Sequence, residues 1–192
     1  MNQFDRTMFN PPLRVPDLVC GPVALRPYSV SDLALVRQAS ADPLIPDIST
    51  IPRVYSDDAG RDFIERQYRR ASEGDGYSFV IAEADDPVTG IGSIGLWLQE
   101  IESGRASVGY WLLEGSRGRR LAAHALRGVV AFAFGELGIR RLHLFVEPWQ
   151  PQPQPVCATP PPQPQPHPPT AVQAEVPSVV RRVITRAVST SL

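Results

Sequence analysis

The stretch that decides the fold is Arg105–Ala123, RASVGYWLLEGSRGRRLAA. It predicts a strand ending at Leu113, a short loop, and a helix that begins near Gly118. Three arginines stand at the start of this helix, namely Arg117, Arg119 and Arg120. The helix dipole places roughly half a positive charge there, so cations are unfavourable unless an anion neutralises them. A phosphate or pyrophosphate fits such a site. The alternative is a solvated basic turn whose arginines contact nearby carboxylates.

The long helix is predicted to extend over Arg117–Leu137. Its apolar residues form two adjacent stripes, Leu126, Val130, Ala133 and Leu137, and Leu121, Ala125, Val129 and Phe132. A face this wide suits a helix that packs on a sheet, and Gly138 ends the helix. A strand is predicted at Arg141–Val146. The two strands that flank the helix should therefore be parallel neighbours, joined by a right-handed crossover.

The residues before this stretch predict an α+β fold. Strands are predicted at Val23–Tyr28, Tyr77–Ala82 and Gly90–Leu98, and helices after Ser31-Asp32 and after Ser56-Asp57-Asp58. Residues 1–20 are predicted to be an irregular arm, and Leu44–Tyr55 a surface loop, because prolines interrupt both. The order of elements predicts a mixed, mainly antiparallel sheet flanked by helices.

Composition limits the classes of function. The chain has 192 residues, of which 43% are hydrophobic and 20% charged, enough for one domain with a core. With 19 Lys and Arg against 20 Asp and Glu, it has no basic excess that would indicate nucleic-acid binding. Two cysteines cannot form a disulfide framework or a cysteine-based metal site. We expect a cytoplasmic protein, because there is no secretory signal and no apolar run near the ~20 residues that span a bilayer.

The C-terminal part differs in composition. Eleven of the 21 prolines lie between Pro148 and Pro169, which excludes a helix or a central strand. The sequence therefore predicts three regions: an N-terminal arm (1–20), a domain (21–149) that carries the chemistry, and a Pro/Gln-rich, largely disordered tail (150–192). The tail is also compatible with an interaction segment that docks in an aromatic-lined groove.

Several motifs resemble the GNAT superfamily of acetyl-CoA-dependent N-acetyltransferases, most of all its ribosomal-protein alanine N-acetyltransferases. They are VGYWL from Val108, RGRRLA from Arg117 and LHLFV from Leu142. The phosphate loop of this family has the form Arg/Gln-x-x-Gly-x-Gly/Ala, in which Arg117 matches the first position and Ala122 the last. The resemblance covers about residues 20–149.

The resemblance implies a fold, an activity and a cofactor site. The function would be transfer of an acetyl group from acetyl-CoA to a primary amine, such as a protein N-terminus. The backbone of Leu112 and Leu113 would bind the pantetheine arm between two splayed strands. The pyrophosphate would be bound by the N–H groups of Arg117, Gly118, Arg119, Arg120, Leu121, Ala122 and Ala123. A main-chain N–H would polarise the acetyl carbonyl.

The sequence departs from the family pattern at two places. Arg120 replaces the central glycine of the loop, which normally permits close approach of the backbone to phosphate. The loop could still bind on the condition that Arg120 keeps a helical φ and its side chain turns outward. After Trp149 the pattern stops, and Gln150 stands where the family has an asparagine. We interpret this change as truncation by a shifted reading frame, which sequencing of the locus tests. Loss of the closing strands should leave the strand at Arg141–Val146 with an open edge.

Three carboxylates are candidates for the general base that accepts the proton of the amine, namely Glu100, Glu102 and Glu147. Each has a simpler interpretation, as a solvated turn residue or as a charge at a strand end. His143 is predicted to be a sheet residue rather than a proton shuttle. No metal is expected. The alternative function is an inactive or CoA-binding-only remnant of an acetyltransferase.

Overall fold

The computed structural model describes residues 11–146 and 180–185; for residues 145–146 and 180–185 only the backbone is considered. Seven strands form one sheet in the order β1-β2-β3-β4-β5-β6-β7. The strands are β1 (Leu18–Cys20), β2 (Val23–Arg26), β3 (Gly76–Glu83), β4 (Asp86–Trp97), β5 (Arg105–Leu112), β6 (Arg141–Val146) and β7 (Val180–Thr185). All neighbouring strands are antiparallel except β5 and β6. The predicted mixed sheet, with parallel strands on either side of the long helix, is confirmed.

Helices cover both faces of the sheet. They are α1 (Leu33–Ala41), α2 (Ile45–Ile48), α3 (Asp57–Ser72) and α4 (Leu121–Gly135). Residues of α4 pack with Phe79, Ile81 and Val108 in the larger core cluster. Residues of α1 and α3 pack with Val80 and Trp111 in the second cluster. Because side chains alternate along a strand, neighbouring residues of β3 enter different clusters.

The starts of the first helices follow from local hydrogen bonds. The Ser56 hydroxyl accepts from the Ala59 N–H at 3.1 Å, which caps α3 as predicted. Asp32 is the N-cap of α1, as predicted from Ser31-Asp32. The 3₁₀ turn over Val30–Asp32 that precedes α1 has Ser29 as its own N-cap. Asp32 accepts from the Ser29 N–H at 2.7 Å and also pairs with Arg26, so both oxygens of its buried carboxylate have a hydrogen-bond donor.

Three sequence-based boundaries are wrong. The N-terminal arm contains β1, because Gly21 at φ +61° lets the chain turn back into β2. The loop over Leu44–Tyr55 contains α2, in which proline occupies the first turn, where its missing N–H is tolerated. The long helix is shorter than predicted, since α4 begins only at Leu121 and ends at Gly135.

The predicted open edge on β6 is also wrong. All six residues of β6 pair antiparallel with β7, from Arg141↔Thr185 to Val146↔Val180. β7 belongs to the region that the sequence predicted to be a disordered tail, and residues 147–179 between the two strands lie outside the described part of the chain. In the ranges that are described, no helix is long and apolar enough to cross a membrane.

Candidate active site

The central feature of the site is the place where β5 and β6 stop pairing. Their parallel ladder extends from Arg105↔Arg141 to Val108↔Leu144 and ends there. β5 nevertheless continues to Leu112, paired only with β4, while the end of β6 is paired with β7. The two parallel strands therefore separate after Val108, as the family resemblance implied.

The separation leaves main-chain groups of β5 without a strand partner. The Leu113 N–H donates to the Ile91 carbonyl of β4 at 2.9 Å. Because main-chain groups alternate in direction along a strand, those of Tyr110 and Leu112 face the gap instead. The Leu112 carbonyl accepts from Arg117 Nε at 3.0 Å. The Tyr110 N–H and carbonyl and the Leu112 N–H remain along the edge of the gap.

The loop after β5 has left-handed backbone conformations at two positions. Gly118 has φ +76°, and a Cβ placed there would meet no atom within 4 Å. Arg120 has φ +61° and is the N-cap of α4. The condition stated for binding, that Arg120 keeps a helical φ, is therefore not met. Its position is the one at which the family has glycine, the residue that adopts this conformation without steric cost.

The same loop presents consecutive main-chain N–H groups. The Arg117 N–H donates to the Glu114 carbonyl at 3.1 Å, and the Ala123 N–H donates to the Arg120 carbonyl at 3.0 Å. Between them, the N–H groups of Gly118, Arg119, Arg120, Leu121 and Ala122 have no acceptor among the described residues. The Leu113 carbonyl also accepts from the Ser116 N–H. Of the residues predicted to bind coenzyme A through the backbone, Leu113, Arg117 and Ala123 therefore use their main-chain groups for hydrogen bonds within the protein.

Two of the three arginines are paired with carboxylates. Arg117 Nη2 lies 2.6 Å from Asp42 Oδ2, a carboxylate only 4% exposed. Arg119 donates two hydrogen bonds to Glu83, at 2.7 and 2.8 Å, which lowers the pKa of that carboxyl. Arg120 is exposed and has no partner in the part of the chain that is described. Arg117 and Arg119 thus contact nearby carboxylates, as the alternative interpretation predicted. The main-chain N–H groups of Gly118–Ala122 are still available for an anion.

A tryptophan covers the opposite face of the sheet at the level where the gap begins. A Cβ at Gly109 would lie 2.8 Å from the Trp97 ring, and one at Gly95 would lie 2.9 Å from it. The two glycines face each other across β4 and β5 and thus make room for this ring. The Arg70 guanidinium carbon of α3 is 5.8 Å from the ring centroid. Beside the gap, the face of the sheet opposite α4 therefore carries an aromatic ring and a positive charge, from Trp97 and Arg70.

Two of the three candidate bases lie in one turn, away from the gap. Glu100 Oε2 accepts from Arg105 Nε at 2.7 Å, in the turn before β5. Glu102 lies on the exposed side of the same turn. This turn is at the far end of the β5–β6 ladder, about 10 Å of strand away from Val108. The third candidate, Glu147, lies outside the described residues.

β5 and β6 also carry histidine and aromatic side chains. His143 is 7% exposed, within β6, as predicted for a sheet histidine. In β5, Trp111 is buried and Tyr110 is exposed. Among the residues with described side chains, no group of three or more His, Cys, Asp or Glu can hold a metal ion.

The sequence matches the family described as the acetyltransferase (GNAT) domain over residues 23–158. The match covers more than half of the chain, so the chain belongs to the GNAT acetyltransferase family and is an acetyltransferase. A comparison with curated proteins found no match.

Solved structures show the same fold. A protein of Vibrio cholerae, provisionally assigned as a ribosomal-protein-serine acetyltransferase, aligns with a TM-score of 0.59 and 20% identity, over 70% of this chain and 77% of that one. RimL, a ribosomal-protein α-N-acetyltransferase in complex with coenzyme A, aligns at 0.56 and 17%, over 68% and 74%. RimJ of Mycobacterium smegmatis, in complex with a CoA disulfide, aligns at 0.54 and 20%, over 70% and 68%.

Sequence reasoning missed the carboxylates that pair with two arginines of the loop. Asp42 lies 75 residues from its partner Arg117, and Glu83 lies 36 residues from Arg119. Neither carboxylate stands in a motif that indicates an ion pair. Only the sheet and the packing of α1 bring them to the loop.

Proposed function

We propose that the chain transfers the acetyl group of acetyl-CoA to a primary amine, and that the amine is a protein N-terminus. The observation that carries the proposal is the end of the β5–β6 ladder at Val108↔Leu144, together with the free amides of the loop that follows β5. An edge of unpaired strand followed by a helix N-terminus suits a long ligand with an amide-containing arm and an anionic end.

The residues present fit acetyl-CoA in two places. The free N–H groups of Gly118–Ala122, at the positive end of α4, would hold its diphosphate. The Tyr110 and Leu112 main-chain groups would hold its pantetheine arm. When bound, acetyl-CoA supplies an activated acetyl thioester, so no nucleophile of the protein is needed.

The chain itself contributes charge stabilisation and proton removal. In this proposal the Tyr110 N–H, which faces the gap next to the last β5–β6 pair, donates to the acetyl carbonyl as negative charge develops. The amine approaches on the face that carries Trp97, opposite α4. Its proton leaves to solvent or to Glu147, which follows β6 in the chain, because Glu100 and Glu102 lie beyond hydrogen-bond reach of Tyr110.

A protein N-terminus is proposed as acceptor because the solved relatives named as ribosomal-protein acetyltransferases share the fold. Such an acceptor agrees with the sequence-based expectation of a cytoplasmic protein, which cell fractionation checks. The alternative acceptors are an internal lysine of a protein and a small amine.

The proposal is tested by calorimetric titration with acetyl-CoA, followed by a thiol-release assay. Peptides that begin with a free amine are compared with the same peptides blocked at the N-terminus. Binding of acetyl-CoA, with release of the coenzyme A thiol only when an unblocked peptide is present, supports the proposal. Binding without release for any amine supports the CoA-binding remnant instead. Absence of binding contradicts both.

A further inference from the structure

Arg117 is the first residue of the loop motif, yet its guanidinium is turned into the protein. Nη2 lies 2.6 Å from Asp42 Oδ2, and Nε donates to the Leu112 carbonyl at 3.0 Å. The Asp42 side chain is 4% exposed and that of Arg117 is 30% exposed. A carboxylate buried to this degree requires a paired cation. The Arg117 guanidinium is thus committed to the fold.

Asp42 extends this contact to the corner between α1 and α2. It follows α1 directly, and its Oδ1 accepts from the Leu44 N–H at 2.9 Å and from the Ile45 N–H at 3.1 Å, where α2 begins. One carboxylate oxygen therefore fixes the corner, while the other fixes Arg117. The two helices and the loop are joined through a single side chain.

The second bond of Arg117 fixes the end of β5. The Leu112 carbonyl lies on the edge of β5 that faces the gap, and the free amides of Gly118–Ala122 follow Arg117 directly in the chain. The start of the loop is consequently held from two sides, by β5 and by the α1–α2 corner. Within the segment itself, Arg119 makes only the exposed pair with Glu83 among the described residues, and Leu121 is buried at the start of α4. The contacts of Arg117 with Asp42 and with the Leu112 carbonyl, here called the clamp, therefore fix the end of the segment that follows β5.

We propose that Arg117 and Asp42 are positioning residues that hold the amides of Gly118–Ala122 in the arrangement that binds the diphosphate of coenzyme A, and that Arg117 is not itself a ligand of the diphosphate. The inference rests on the proposed function. A loop that is ordered before binding loses less conformational freedom when the ligand arrives. Releasing the clamp should therefore weaken binding, although it leaves every proposed ligand group in the chain.

The direction in which one substitution changes the affinity for coenzyme A distinguishes positioning from direct electrostatics. Asp42→Asn removes a negative charge beside an anion site, so electrostatics alone would raise the affinity for coenzyme A. Positioning predicts the opposite: the affinity falls by about tenfold, the size of a coupling between residues in contact. Isothermal titration with coenzyme A measures this, well below the unfolding temperature, so that only folded protein is titrated.

Glu83→Gln is the matched control. It also replaces a carboxylate by an amide, and it also releases an arginine of the same loop, but the Glu83–Arg119 pair is exposed and holds no main-chain group. We expect its affinity for coenzyme A to equal or exceed that of the wild type. A loss of affinity as large as that of Asp42→Asn would contradict the clamp.

Arg117→Lys provides a second test. Lysine keeps the charge, but it lacks the planar fork that reaches both Asp42 and the Leu112 carbonyl. Positioning predicts a loss of affinity similar to that of Asp42→Asn, and little further loss when both substitutions are combined. Full affinity of Arg117→Lys, or of Asp42→Asn, would overturn the clamp while wild-type binding upheld the proposed function. If the wild type binds no coenzyme A, the proposed function fails first.

Discussion

At the scale of single residues, the chain uses an unusual one at the start of α4. Arg120 adopts φ +61° and ψ 9°, a left-handed conformation in which the Cβ of any L residue other than glycine is crowded. The fold imposes this conformation because the loop must turn from β5 into the helix. The family motif has glycine at this position, and glycine adopts this left-handed conformation without steric cost, whereas arginine does not.

The cost of this residue is measurable with two substitutions at one site. Arg120→Gly removes the crowding, whereas Arg120→Ala removes the same side chain and keeps the crowding. We expect Arg120→Gly to exceed Arg120→Ala by about 1 kcal/mol in free energy of unfolding. Denaturant unfolding of the two variants measures the difference. If alanine is as stable as glycine, the left-handed φ is not present in solution.

At the scale of elements, the β5–β6–β7 part of the sheet combines two functions. β6 pairs with β5 over four residues and with β7 over all six of its own. The first ladder stops early and leaves the gap, while the second covers the outer edge of β6. β7 thus keeps the end of β6 in the sheet, where β6 no longer pairs with β5. It also covers an edge that would otherwise be able to pair with other chains.

Proline substitutions in β7 test this pairing. In an edge strand, alternate N–H groups face the neighbouring strand, so of Val183 and Ile184 only one donates to β6. One of the variants Val183→Pro and Ile184→Pro should therefore break the ladder and show concentration-dependent association, and the other should stay closer to the wild type. Sedimentation velocity measures this. Identical behaviour of both variants and the wild type would show that β7 does not cover β6.

At the scale of the whole molecule, burial of tyrosines links stability to alkaline pH. Burial raises the pKa of Tyr28 above its usual range, and the Tyr28 hydroxyl has no hydrogen-bond partner in the described part of the structure. Burial also raises the pKa of Tyr77 from 10.0 to about 12. Both groups are neutral in the folded chain at a pH at which the unfolded chain already ionises.

The sign of the pH effect follows. Between about pH 10 and pH 12 the folded state binds more protons than the unfolded state, so the free energy of unfolding falls as the pH rises. The contribution is complete below about pH 10. Denaturant unfolding at a series of pH values should show this fall, and Tyr28→Phe and Tyr77→Phe should each reduce it. A fall of equal size in all three proteins would contradict the assignment.

The sequence alone predicted most of the strands and helices in their order and the parallel pair around α4, but not β1, α2 or β7. It also predicted a phosphate-binding loop after β5. These features depend on periodicity, turn residues and a motif, all of which act over a few neighbouring positions. The proline-rich composition also separated the region after residue 149, but it did not reveal β7, because strand pairing across so many residues leaves no local pattern.

Only the tertiary structure decided how the site is held. It showed that the ladder stops at Val108↔Leu144, that Arg117 binds Asp42 across 75 residues, and that the Leu113 backbone is already used by its neighbours. The physical reason is that the sequence shows the charge of an arginine but not which carboxylate it pairs with. The partner is whichever carboxylate the packed sheet and helices bring within hydrogen-bond distance.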